Sequence, residues 1–217
     1  MIPDKAEDWP AHGHRTLAQG HIVALQEDDL TSPFGEVLTR EYVAHPGSVV
    51  VLALDGDDRV AVVHQYRHAV QTRLVELPAG LLDVDGEPPL AAAQRELAEE
   101  AGQAASDWRV LADICSSPGI TDETTRIFLA RGLTPAPPPE GFVPHGEEVD
   151  MGLEWVPVGE FVAAIRAGQV NNVATELGVM SLALAQADGV VDELRPGETP
   201  WPMRDRVVQL KARRADA

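Results

Sequence analysis

From Arg95 to Gly102 the chain reads RELAEEAG, which sets Glu96, Glu99 and Glu100 three and four residues apart. On a helix these positions share one arc, and each close like-charge pair costs roughly 0.2–0.5 kcal/mol when exposed. The last turn of a helix is also the negative end of its dipole, where carboxylates are disfavoured. The pattern therefore opposes helix stability twice. A hard divalent cation reverses that sign, because Mg2+ takes oxygen ligands from carboxylates, waters and phosphates. On the helix alone, the ordinary alternative is a solvated acidic face with Arg95 paired to Glu99 at i+4.

The flanking elements must hold this arc in place. Pro88 and Pro89 open a helix from about Leu90 to Ala101, with Leu90, Ala93, Leu97 and Ala101 on its apolar side and Gly102 as its stop. Upstream, HIVALQEDDL and EVLTREYVAH read as strands around a turn at TSPFGE. SVVVLALD is a continuous apolar run, as in a strand buried on both faces. RVAVVHQYRHAV is the next strand, and RLVELPAG is a short extended piece ending at Pro78 and Gly80. WRVLADICSSPG, TRIFLARGL and MGLEWVPV are further strands, and TPAPPPEGFVPHGEE is a loop. GEFVAAIRAGQV and NNVATELGVMSLALAQA are helices. Residues 1–15 read as a mobile or loosely docked tail, and the stretch after Asp188 is weakly patterned. The expected division is 1–50 for an N-terminal strand region, 51–188 for the main domain and 189–217 for a C-terminal tail.

The full stretch GLLDVDGEPPLAAAQRELAEEAGQ, residues 80–103, resembles the Nudix box of the Nudix hydrolases. Gly80 begins the pattern, Glu87 follows, and Arg95, Glu96, Leu97, Glu99, Glu100 and Gly102 complete it. The spacing from Gly80 to Glu87 is one residue longer than in the family, an insertion in the loop before the helix. The Arg-Glu-x-x-Glu-Glu-x-Gly core matches by chance at a given start on the order of once in a million. The implied fold is α/β: a mixed β-sheet sandwiched between helices, with an N-terminal antiparallel β subdomain. The resemblance implies that Glu96 and Glu100 ligate metal, that Glu99 does so directly or through water, and that the Ala79 carbonyl is a further ligand. Arg95 would orient the glutamates by charge-assisted hydrogen bonds, and Gly80 and Gly102 would admit backbone shapes that a Cβ hinders. The cofactor implied is Mg2+, with Mn2+ as the alternative.

HQYRHAV, ELPAG and SSPGITDE further resemble the ADP-ribose pyrophosphatase subfamily, with Pro118 where a proline marks that group and Gly119 beside it. This implies hydrolysis of ADP-ribose to AMP and ribose 5-phosphate, with a base supplied by the acidic loop HGEEVDMGLEW. Glu147 is the first choice for that base, Glu148 the second and Asp150 an outside candidate. Arg67 and Arg40 suit a diphosphate because a guanidinium fork binds two oxygens. Arg40 would act across a dimer interface, since the resemblance implies a homodimer. Glu76 would hold a ribose hydroxyl or a metal-bound water. The competing readings are another nucleoside diphosphate-X (a nucleotide sugar, NADH or a diadenosine polyphosphate) and an ADP-ribose sensor without turnover.

The rest of the chain narrows the class. A net charge of -18 opposes a nucleic-acid partner. Cys115 stands alone, so there is no internal disulfide or cysteine-rich zinc site, and it reads as a small hydrophobe beside a strand. No apolar run approaches the ~18 residues of a membrane span, so a soluble, cytoplasmic enzyme without a membrane partner is expected. The phosphate-binding patterns G-x-x-x-x-G-K-[ST] and G-x-G-x-x-G are absent. His64 and His68 read as surface or core histidines, and Trp9 and Phe34 as packing residues.

Overall fold

The computed structural model describes residues 2–139, 141–143 and 146–215, with the backbone alone at positions 147, 148 and 215. In chain order the strands are β1 (Ala11–Gln19), β2 (Ala24–Thr31), β3 (Val37–Ala44), β4 (Ser48–Ala53), β5 (Arg59–Arg67), β6 (Thr72–Glu76), β7 (Ala79–Leu81), β8 (Gln103–Cys115), β9 (Thr124–Pro135), β10 (Gly152–Pro157) and β11 (Arg195–Pro196). The helices are α1 (Pro89–Ala101), α2 (Val158–Arg166), α3 (Val173–Asp188) and α4 (Pro202–Ala215). Two compact units result. The first comprises Met1–Pro46, Ser117–Glu123 and Pro202–Ala217, and the second comprises Gly47–Ser116 and Thr124–Trp201.

The second unit is built around the apolar run SVVVLA. As β4 it pairs parallel with β9 and antiparallel with β7, inside a mixed five-stranded sheet ordered β11-β8-β9-β4-β7. Successive side chains of a strand point to opposite faces. Val49, Val51 and Ala53 accordingly pack with Ala92, Ala93, Leu97 and Ala101 of α1. Val50 and Leu52 pack with Phe161 of α2 and with Val179 and Leu182 of α3. β9 repeats the division, with Phe128 and Ala130 toward α1 and Ile127 and Leu129 toward α3. Both faces are covered, which is why neither strand shows a polar alternation. Burying each such Val, Leu or Phe stabilises the unit by roughly 1.5–3 kcal/mol. A second sheet, ordered β10-β5-β6, carries the other hairpin.

The first unit is a three-stranded antiparallel sheet, β1-β2-β3, with α4 and the loop Ser117–Glu123. Here two sequence expectations are corrected. β1 starts at Ala11, inside the stretch read as a loose tail, and pairs with β2. Its nine residues AHGHRTLAQ are mostly exposed, so no apolar alternation marked them. The pairing is carried instead by the backbone ladder and by opposed polar side chains: His14 with Asp28 at 2.6 Å, Thr16 with Gln26 at 2.9 Å, and Arg15 with Glu27. The weakly patterned C-terminal stretch likewise forms β11, against β8, and α4. α4 (PMRDRVVQLKARRA) is held by charged head groups rather than by an apolar stripe. Arg214 reaches Asp28 at 2.6 Å and lies over the Tyr42 ring, Lys211 reaches Asp122 at 3.3 Å, and Arg204 donates to the Pro46 carbonyl. Among the described residues, no helix is long and apolar enough to cross a membrane.

Candidate active site

α1 forms where the chain is rich in strong helix formers. Pro89 stands at its first position, and Gly102, at φ 61, ends it in the left-handed conformation with its N–H directed at Ala98 and Leu97 carbonyls. The side that meets β4 is Ala92, Ala93, Leu97 and Ala101, and Glu96 is buried beside them. The acids are not a solvated face: the side chains of Glu96 and Glu99 are only 11% and 13% exposed.

Arg95 organises them. Its Nε and Nη2 each donate to Glu87, both at 3.0 Å, in a two-pronged pair. Its Nη1 donates to Glu96 Oε1 at 2.6 Å and to Glu99 Oε2 at 3.1 Å. The Glu87 hydrogen bonds, followed by the charge of Glu96, hold the guanidinium pKa well above its usual range despite partial burial. The loop insertion before α1 thus leaves Glu87 within reach of Arg95. Glu100 turns the other way, and its Oε2 accepts the Ala79 amide at 2.9 Å.

Gly80 is required for space. A Cβ there would lie 1.9 Å from Glu96 Oε1, so only glycine lets the carboxylate sit against the β6–β7 turn. Its backbone is not in the positive-φ region, so the expectation of an unusual conformation holds for Gly102 and not for Gly80. On β6, Glu76 is 2% exposed and takes both prongs of Arg67, Nε to Oε1 at 2.9 Å and Nη2 to Oε2 at 2.6 Å.

Glu147 and Glu148 lie on the short 3-10 turn Gly146–Asp150, and their side chains are outside the described residues. Asp150 is engaged elsewhere: its carboxylate accepts from Arg73 Nη2 at 2.5 Å and its carbonyl from Arg73 Nη1 at 2.9 Å. Arg73 also donates to the His64 carbonyl, so it ties the acidic turn to the β5–β6 hairpin. Sequence reasoning missed Arg73, since nothing local links it to a residue 77 positions away. Arg40 is exposed on β3 and donates to the Thr39 carbonyl, and Pro118 and Gly119 are exposed in the loop Ser117–Glu123. These three belong to the first unit, whereas the α1 acids, Ala79, Glu76, Arg67 and the acidic turn belong to the second. His64 pairs with Glu154 at 3.0 Å, His68 lies beside Tyr66, Trp9 bonds Glu7, and Phe34 is exposed.

Among the described residues, no group of three or more His, Cys, Asp or Glu is arranged to hold a metal ion. Glu96 and Glu99 face Arg95, and Glu100 faces the Ala79 amide. The donors nevertheless suit a hard divalent cation, being carboxylate oxygens of one helix, with the Glu96 carboxylate seated in the space that the missing Cβ of Gly80 leaves.

The NUDIX domain family matches residues 44–177. This chain belongs to the Nudix family. It is a Nudix hydrolase, a class that generally needs a divalent metal. It is 42% identical over 209 residues to an ADP-ribose pyrophosphatase of Mycobacterium tuberculosis, covering 96% of this chain and 98% of that one. It is 33% identical over 171 residues to a methanol dehydrogenase activator of Bacillus methanolicus, covering 79% and 90%. In three dimensions this Nudix chain resembles a crystal structure of an ADP compounds hydrolase, with a TM-score of 0.70 at 20% identity over 87% of this chain and all of that one, which bears on the fold alone.

Proposed function

We propose that this Nudix hydrolase is an ADP-ribose diphosphatase that hydrolyses the diphosphate to AMP and ribose 5-phosphate. The observation that carries the reading is the acid set of α1, held by Arg95 against the glycine turn, in a chain 42% identical to an ADP-ribose pyrophosphatase along nearly its whole length. Glu96, Glu99, Glu100 and the Ala79 carbonyl would hold the cation, Mg2+ or alternatively Mn2+. When bound, the cation neutralises charge on the phosphate oxygens and acidifies a water.

This chain's own residues do the rest. Glu147, with Glu148 as the alternative, takes the proton of the attacking water, while Glu99 orients that water. Water adds to one phosphorus as the bridging P–O bond breaks, giving two phosphomonoesters. Arg95 keeps Glu87, Glu96 and Glu99 from relaxing apart. Arg67 presents positive charge to the diphosphate, and the Glu76 oxygens it holds keep a second lone pair for a ribose hydroxyl. We assign Arg40 to the diphosphate as well, for its guanidinium fork, and Pro118 and Gly119 to the substrate by resemblance; the resemblance also implies a homodimer, and the enzyme is proposed to be cytoplasmic.

The test is incubation with ADP-ribose and Mg2+, with and without EDTA, followed by chromatography for AMP. AMP that appears with the metal and vanishes with EDTA is the expected result. No AMP from ADP-ribose, with turnover of a nucleotide sugar or NADH, would transfer the same chemistry to another substrate.

A further inference from the structure

The turn at residues 76–80 carries two of the groups given roles above: the Glu76 carboxylate that receives Arg67 and the Ala79 carbonyl. Three of its hydrogen bonds set where its middle lies. The Val51 amide donates to the Pro78 carbonyl at 2.8 Å. The Ala79 amide donates to Glu100 Oε2 at 2.9 Å. The Leu77 amide donates to Thr175 Oγ1 at 3.1 Å, a wholly buried bond between residues 98 positions apart. Pro78 has no N–H, so Leu77 and Ala79 hold the only amide donors of the turn's middle. One is satisfied by an acid of α1, the other by α3.

Thr175 is itself fixed. It is 1% exposed, on the first turn of α3, and its amide donates to the side chain of Asn172, the residue that caps the helix, at 2.9 Å. Its partner Leu77 is 1% exposed in the core that α2 and α3 share with β4. Buried backbone donors need a partner, and a threonine hydroxyl held by a capped helix end supplies one with little freedom to drift. The sequence marks this region as NNVATELG, a stretch to which the proposed reaction gives no task.

We propose that Thr175 is a positioning residue for hydrolysis: its hydroxyl fixes the Leu77 amide and so sets the Glu76 carboxylate and the Ala79 carbonyl relative to the acids of α1. The inference rests on the proposed function through the roles given to Glu76 and Ala79. Thr175 touches no reacting atom.

The experiment compares wild type with Thr175→Val, which keeps the shape and removes the acceptor, and Thr175→Ser, which keeps the acceptor. Two readouts are taken on the full chain: kcat with ADP-ribose, and Mn2+ affinity by electron paramagnetic resonance without substrate. The expected result for Thr175→Val is a fall in kcat and in Mn2+ affinity of about tenfold or more, as for other residues that orient metal ligands, while Thr175→Ser stays near wild type. A folded Thr175→Val protein with wild-type kcat and Mn2+ affinity would overturn the inference, whatever its melting temperature. Should the valine variant not fold, Thr175→Ala against Thr175→Ser decides: loss in alanine alone supports the role, and equal values overturn it. A wild-type protein that releases no AMP removes the substrate reading only, and the Mn2+ titration then decides on Thr175 by itself.

Discussion

Arg95 directs its guanidinium at three glutamates, and this answers how one helix carries so many acids. The side chain takes Glu87 across the loop, Glu96 next to it and Glu99 one turn on. The i+4 pair with Glu99 could be read from spacing. The Glu87 contact could not, because it depends on how the loop closes. Glu100 is the acid that faces the β6–β7 turn instead. Glu100→Gln therefore tests a charge and not a shape, since the amide oxygen can still accept from Ala79. The expected outcome is a fall in kcat of about a hundredfold, or ~2.7 kcal/mol of barrier. With EDTA present the variant should be as stable as wild type, or more so by roughly 0.2–0.5 kcal/mol, since a like charge has left the helix. AMP release under saturating ADP-ribose checks the first half, and urea unfolding in EDTA checks the second. A variant that loses stability in EDTA would mean that the carboxylate serves the fold.

At the scale of elements, strands buried on both faces and helices with clear ends were legible. SVVVLALD read as a buried strand because each of its faces meets a helix layer. α1 was legible to within a residue because its start is a proline pair and its stop a glycine. β1 and α4 were not legible, because their contacts are polar and polar contacts have no hydrophobic period. In the first unit, Lys211 and Arg204 of α4 converge on the carbonyls of His45 and Pro46, and Lys211 also meets Asp122. Burial is the main force holding the His45 pKa below its ordinary 6.5, with Glu123 pulling the other way and Lys211, Asp122 and Arg204 close by. Burial likewise lowers Lys211 and Arg204. The linkage sign for His45 follows: just below pH 6.5 the unfolded chain binds more protons than the folded one, so stability falls as pH falls through that window. His45→Gln should flatten this decline. Urea unfolding at neutral and mildly acidic pH, for wild type and variant, measures it, and parallel pH curves would refute the assignment.

For the whole molecule, the net charge of -18 sets the field that an anionic substrate must cross. A cation held by the α1 acids, as proposed, would offset that field only locally. Distant surface charges are screened once the Debye length shrinks to about 8 Å at physiological salt. With Mg2+ saturating, KM for ADP-ribose should therefore fall as NaCl is raised from low to physiological ionic strength. A KM that rises with salt would mean that local positive charge, such as Arg67, outweighs the overall field.

The sequence by itself determined the acid arc, the helix that carries it, its glycine stop, the strand run at the centre of the second unit and the family. All of these are local patterns, written in spacings of a few residues that a helix or strand converts directly into faces. Tertiary structure alone decided that Gly80 serves to make room for Glu96, that Glu87 reaches Arg95, and that Arg73 holds Asp150. It alone brought Thr175 to Leu77 and gathered the loop Ser117–Glu123 and α4 into one unit with the N-terminal sheet. Each of these joins residues that are distant in the chain and close in space. No periodicity records such a pair: it is fixed by where packed elements leave a buried donor, a charge or a gap to be met.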